Sequence, residues 1–88
     1  MERPIATADE LLRRITVNFK ILGGKPTLRG HRLAVEHVFG MLAAGDHPET
    51  ILAGYPWLEP DDIQACLVYA HRLLAHQRID LTLSETTD

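Results

Sequence analysis

Gly23-Gly24-Lys25-Pro26 leaves this chain little conformational choice. Glycine gives access to positive φ, whereas Pro26 fixes φ near −65° and removes a donor, so the segment is a shaped turn leading into extended chain. The residues that follow, Thr27-Leu28-Arg29-Gly30-His31-Arg32-Leu33, are expected to gather Lys25, Arg29 and Arg32 around that turn. Upstream, Val17, Phe19 and Ile21 alternate with Thr16, Asn18 and Lys20, the period of a strand with one buried face. The two segments predict a hairpin over about 16–35, with Gly30 marking a bulge or a close backbone approach. Because an isolated hairpin is marginal in water, either helices cover it or a second copy of the chain pairs with its edge.

Helical signals flank this arm. Thr7-Ala8-Asp9-Glu10 reads as a capping box ahead of Leu11, Leu12 and Ile15. Val35, Val38, Phe39 and Leu42 share one helical face, and Gly45 stands where a stop belongs. Asp46-His47-Pro48-Glu49 offers a new start for a short helix to about Ala53, ended by Gly54 and Pro56. Glu59-Pro60-Asp61-Asp62 opens the longest helix, whose apolar face runs through Ile63, Cys66, Leu67, Ala70, Leu73 and Leu74 to about His76. In the tail 77–88, Ile79, Leu81 and Leu83 alternate and would suit an added strand on a partner. No repeat or linker interrupts the 88 residues, which are expected to form a single domain of β arm, helical core (about 35–76) and tail.

The net charge of −3 hides a division. Residues 1–32 carry seven cations and three anions (+4), and residues 33–88 carry two cations and nine carboxylates (−7). Such a split suits either two working surfaces, one basic and one acidic, or halves that neutralise each other within the fold or across a dimer. No apolar run approaches the ~20 residues of a membrane span, the start Met1-Glu2-Arg3-Pro4 is unlike a secretory signal, and Cys66 has no disulfide partner, so a cytoplasmic protein is expected.

Catalytic patterns are missing. Cys66 sits on an apolar helical face, where a thiol is inert. His31, His37, His47, His71 and His76 lack metal-ligand spacing, and the neighbours Asp61 and Asp62 point apart on a helix and suit capping. No phosphate-loop or dinucleotide fingerprint is present. The expectation is a non-enzymatic protein without cofactor, metal or small-molecule substrate.

Three ordered blocks carry a resemblance. Gly24-Lys25-Pro26-Thr27-Leu28-Arg29-Gly30-His31-Arg32-Leu33-Ala34-Val35, then Leu42-Ala43-Ala44-Gly45 with Pro48-Glu49-Thr50-Ile51-Leu52-Ala53-Gly54-Tyr55-Pro56-Trp57-Leu58, then Asp61-Asp62-Ile63-Gln64-Ala65-Cys66-Leu67, together resemble the domain-of-unknown-function family 433 over roughly residues 15–75. His31 replaces the family's usual Thr and Ala34 its usual Pro, departures that bear on the second strand's edge. The resemblance implies a mostly α fold, a small three-helix homeodomain-like (helix-turn-helix) core with an N-terminal helix and a short β-hairpin arm that helps to make a homodimer. It also implies an antitoxin of a type II toxin–antitoxin module, partnered by a toxin with a PIN-like nuclease domain.

Charge qualifies any DNA role. A recognition helix that begins with Glu59, Asp61 and Asp62 meets phosphate repulsion, and no Arg or Lys follows until Arg72. Duplex DNA would therefore fall to Arg13, Arg14, Lys25, Arg29 and Arg32, unless carboxylates of the acidic half hold Arg29 and Arg32. The candidate partner surface is Trp57, Glu59, Asp61 and Asp62; the aromatics Tyr55 and Trp57 either wedge into the core between two helices or anchor a partner, Trp57 being the more exposed of the two. An antitoxin-like protein leads, against a DNA-binding regulator without a toxin or a structural subunit of a larger complex.

Overall fold

The computed structural model describes residues 6–76. In chain order these form helix α1 (Ala8–Leu12), strand β1 (Ile15–Thr16), a 3₁₀ turn (Leu22–Gly24), strand β2 (Thr27–Leu28), and helices α2 (Val35–Ala43), α3 (Pro48–Gly54) and α4 (Pro60–His76). The protein is thus mostly helical with a small antiparallel sheet. The added strand expected around Ile79, Leu81 and Leu83 lies outside the described residues.

The helix boundaries follow their chemistry. At α1 the capping box is complete: the Glu10 amide donates to Thr7 Oγ1 (3.1 Å) and the Thr7 amide to Glu10 Oε1 (2.8 Å). α2 ends in a Schellman arrangement, with Gly45 at φ +102° and the Gly45 and Asp46 amides donating to the carbonyls of Leu42 and Met41. Pro48 takes the first position of α3, but the cap residue is His47 rather than Asp46, and it caps without its side chain.

The arm departs from the predicted pair of long strands. Only Ile15↔Leu28 and Thr16↔Thr27 pair between β1 and β2. Val17 (59% exposed) and Phe19 (86%) do not face a core. Their alternation is overridden because Asn18 captures the backbone: its side chain accepts from the Lys20 amide (2.9 Å) and its carbonyl from the Ile21 amide (2.8 Å), so the chain turns where extension was expected. Residues 27–35 are not one strand either. Arg29 (φ +49°) and Gly30 (φ +75°) make a tight reversal closed by the His31 amide on the Leu28 carbonyl (2.9 Å). Positive φ at both central positions is the mark of a type I′ hairpin turn. The returning chain pairs through Leu28 N–H to Leu33 O, Val35 N–H to Pro26 O and the bridge Thr27↔Ala34.

Helices cover the arm. Leu28, Leu33 and Val35 join Val38 of α2, Ile51 of α3, Leu58, and Ile63 and Cys66 of α4 in one apolar cluster. α1 lies against α4, and Asp9 and Arg72 approach to 3.7 Å across that contact. α4 is ~25 Å long, with buried positions at Asp62, Ile63, Ala65 and Cys66, whereas 71–76 are exposed throughout.

Gly24, at φ +87°, lies under the Phe19 ring, and a Cβ there would stand 2.9 Å from Phe19 Cδ1. The exposed ring can swing away, but the backbone strain persists. Gly24→Ala is therefore expected to lower stability by about 1–2 kcal/mol, read as a shift of the urea midpoint with the slope unchanged.

Candidate functional site

The best-defined polar constellation joins the arm to the start of α4. Asp62, the third residue of α4, is 0% exposed. Its Oδ1 accepts from Arg29 Nε (2.9 Å) and Arg14 Nη1 (3.0 Å), and its Oδ2 from Arg29 Nη2 (2.8 Å) and the Glu59 amide (2.8 Å). Arg14 Nη1 also donates to Glu59 Oε1 (2.7 Å), and Nη2 lies 3.7 Å from Asp61 Oδ2. Arg29 Nη2 donates in addition to the Trp57 carbonyl (2.7 Å). The two arginines come together because the backbone requires it: the Arg29 amide donates to the Arg14 carbonyl (2.7 Å) beside the β1–β2 pairing. Burial acts to raise the Asp62 pKa, and the hydrogen bonds from Arg29, the Glu59 amide and Arg14 outweigh it, so the carboxyl is held below its ordinary value.

Beside this clamp, His31 and Trp57 stack with ring centroids 3.8 Å apart and planes within 4°. The Arg29 guanidinium carbon stands 5.5 Å from the indole centroid, and Tyr55 meets Trp57 edge-on at 6.2 Å. Tyr55 and Trp57 are both half-buried and pack against the apolar cluster, the wedged arrangement expected of aromatics between two helices.

The predicted site residues therefore separate. Arg14 and Arg29 are spent on carboxylates of α4, and Lys25 pairs with Glu36 of α2 (3.1 Å), so the turn does not collect Lys25, Arg29 and Arg32 into one free basic patch. The expectation that carboxylates of the acidic half hold Arg29 is met, whereas Arg13 and Arg32 have no carboxylate partner among the described residues. On the acidic side, Asp62 offers a partner no surface. Glu59 is half-exposed but engaged by Arg14, and Asp61 is partly buried beside it. The His31–Trp57 stack has no signature in spacing and went unforeseen; the clamp was signalled by capping carboxylates opposite a cation-rich arm.

Cys66 is buried, and burial with the nearby Asp62 charge pushes its thiol up to about 12, far from a nucleophile's range. Among the described residues no group of three His, Cys, Asp or Glu is placed to hold a metal, and no helix is long and apolar enough to cross a membrane.

The outer half of α4 differs in character. Leu67 (43%), Leu73 (43%) and Leu74 (62%) are large apolar side chains in solvent. At Leu73 a groove of about 280 Å³ opens between Pro26, Val35, Glu36, Phe39, Tyr69 and Ala70.

Comparison with known proteins adds a family. No solved structure matches the chain. The uncharacterized protein y4eO of Sinorhizobium fredii is 36% identical over 66 residues, which are 75% of this chain and 28% of that protein, so the chain spans little more than a quarter of the curated relative it matches. The family model described as "Protein of unknown function (DUF433)" matches residues 15–70, the whole stretch from β1 through the reversal at Arg29-Gly30 to the middle of α4, and the chain belongs to that family.

Proposed function

We propose that this protein is a non-enzymatic, antitoxin-like binding partner that neutralises a PIN-like nuclease toxin, with α2, α3 and α4 arranged as a homeodomain-like helix-turn-helix unit and a homodimer formed through the arm. The observation that carries the reading is the exposure of Leu67, Leu73 and Leu74 on α4, with Leu73 also lining the groove at Phe39 and Tyr69. Exposed apolar patches of this kind mark protein contacts. The partner surface thus moves from the α4 start, where Asp62 is buried, to its outer half, with Trp57 and Glu59 at the other end.

Operator binding is the weaker reading. The α4 start holds three carboxylates and has already engaged Arg14 and Arg29, leaving Arg13 and Arg32 for phosphates. Co-expression with the product of the neighbouring gene tests the proposal. A stoichiometric complex and relief of that product's growth arrest are expected, and Leu74→Asp should weaken the complex about tenfold or more, the worth of a buried leucine, with the melting temperature of the free protein unchanged. Absence of a complex, together with strongly salt-dependent duplex binding, would replace this reading with that of a regulator.

A further inference from the structure

From the His31–Trp57 stack we infer a binding site for single-stranded nucleic acid, in which an unpaired base stacks on His31 and Arg32 contacts the adjoining phosphate. Trp57 covers one face of the imidazole at 3.8 Å, no other ring stacks on it among the described residues, and His31 keeps part of its surface in solvent. An unstacked base needs an aromatic plane to lie on, which the parallel His31–Trp57 pair supplies, and every base has a π-face to offer it.

A free cation adjoins the stack: Arg14, Lys25 and Arg29 are paired with carboxylates, whereas Arg32 has no such partner among the described residues. Arg32 is exposed, next to His31 in the chain, and unpaired among the described residues. Arg13 adjoins Arg14, whose carbonyl accepts from the Arg29 amide, so it lies by the same reversal. Glu59, the nearest opposing carboxylate in sequence to Trp57, is held by Arg14 at 2.7 Å.

A paired duplex cannot offer a base face sideways, so the geometry selects single strands. Within the platform His31 supplies the stacking surface, Arg32 the phosphate contact, and Arg29 fixes the indole from its side by the bond to the Trp57 carbonyl (2.7 Å). The residues of the site lie on the reversal and in the connection between α3 and α4, outside the outer half of α4, and do not require a toxin.

Trp57 is the chain's single tryptophan, so its fluorescence reports the site directly. The full chain is titrated with a twelve-nucleotide oligo(U), with oligo(dT) of the same length, and with a duplex of that length, at about 50 and 200 mM salt. Expected are saturable quenching by the single strands, weaker binding of the duplex, and a loss of affinity with salt. His31→Ala should lower affinity about 5- to 100-fold, His31→Phe should retain it, and Arg32→Ala should flatten the salt dependence by about 0.7 in log–log slope. Circular dichroism confirms that each variant is folded. Absence of quenching at low salt, equal or tighter duplex binding, or a folded His31→Ala that binds like the parent chain overturns the site. None of these results bears on toxin binding.

Discussion

Replacing Asp62 by alanine should cost about 3 kcal/mol, read as a lower urea midpoint with Trp57 as reporter. Removing one member of a buried ion pair typically costs 3–5 kcal/mol, because the remaining charge is left without its partner. Arg14 and Arg29 retain 26% and 32% of their side-chain exposure and can regain water, which places this loss at the lower end. The Glu59 amide at the start of α4 also loses its acceptor. Against the 5–15 kcal/mol that holds a typical domain folded, that loss removes about a fifth to three-fifths of the total, so the urea midpoint falls while the variant stays largely folded without denaturant. A loss below about 1 kcal/mol would mean that water replaces the clamp.

The same carboxylate sets an acid limit. Asp62 has a lower pKa folded than unfolded, so its contribution is fully present above the unfolded value of about 3.9 and is lost as pH falls through the lower folded value. Stability of the parent chain should therefore decline below about pH 4, and Asp62→Asn should show a shallower decline.

Leu28→Ala is expected to cost about 3–4 kcal/mol, within the 2–5 kcal/mol found for leucines removed from closed cores. Leu28 is 0% exposed, pairs with Ile15 across the sheet, and joins the cluster that spans α2, α3 and α4. It lies where sheet and helices meet, so little can collapse into the space it leaves. Equilibrium unfolding measures the loss, and a value near 1 kcal/mol would show that the arm can repack.

The helices were legible because their signals are local. Thr7 with Glu10, Val35 with Val38, Gly45, Pro48 and the carboxylates after Glu59 each act within one or two turns of their own position. The arm was only partly legible. Val17 and Phe19 carry a strand's period, but Asn18 between them binds the following backbone, and a turn made by one side chain overrides alternation that nothing buries. Gly30 inside the segment signals a bulge or a close backbone approach, and the structure makes it the second centre of a reversal. Its partner in the reversal is Arg29, a residue that rarely takes positive φ and whose side chain is held by Asp62, thirty-three positions away. No window along the chain contains that information. For the candidate site, the acidic and basic halves were visible as composition, but which charges would cancel depended on the strand register that brings Arg14 beside Arg29.

The clamp also governs cooperativity. It ties Arg14, which leads into β1, the reversal and the first turn of α4 through bonds that span 33 to 48 residues. The arm cannot open alone, because release of Arg29 frees a backbone held at φ +49° and uncovers Asp62 in the same event. Amide protection against hydrogen exchange at Leu28 and at Asp62 should therefore rise and fall together. Residues 14–62 are therefore expected to unfold as one unit, and a fragment cut between the arm and α4 should hold neither a stable hairpin nor a capped helix.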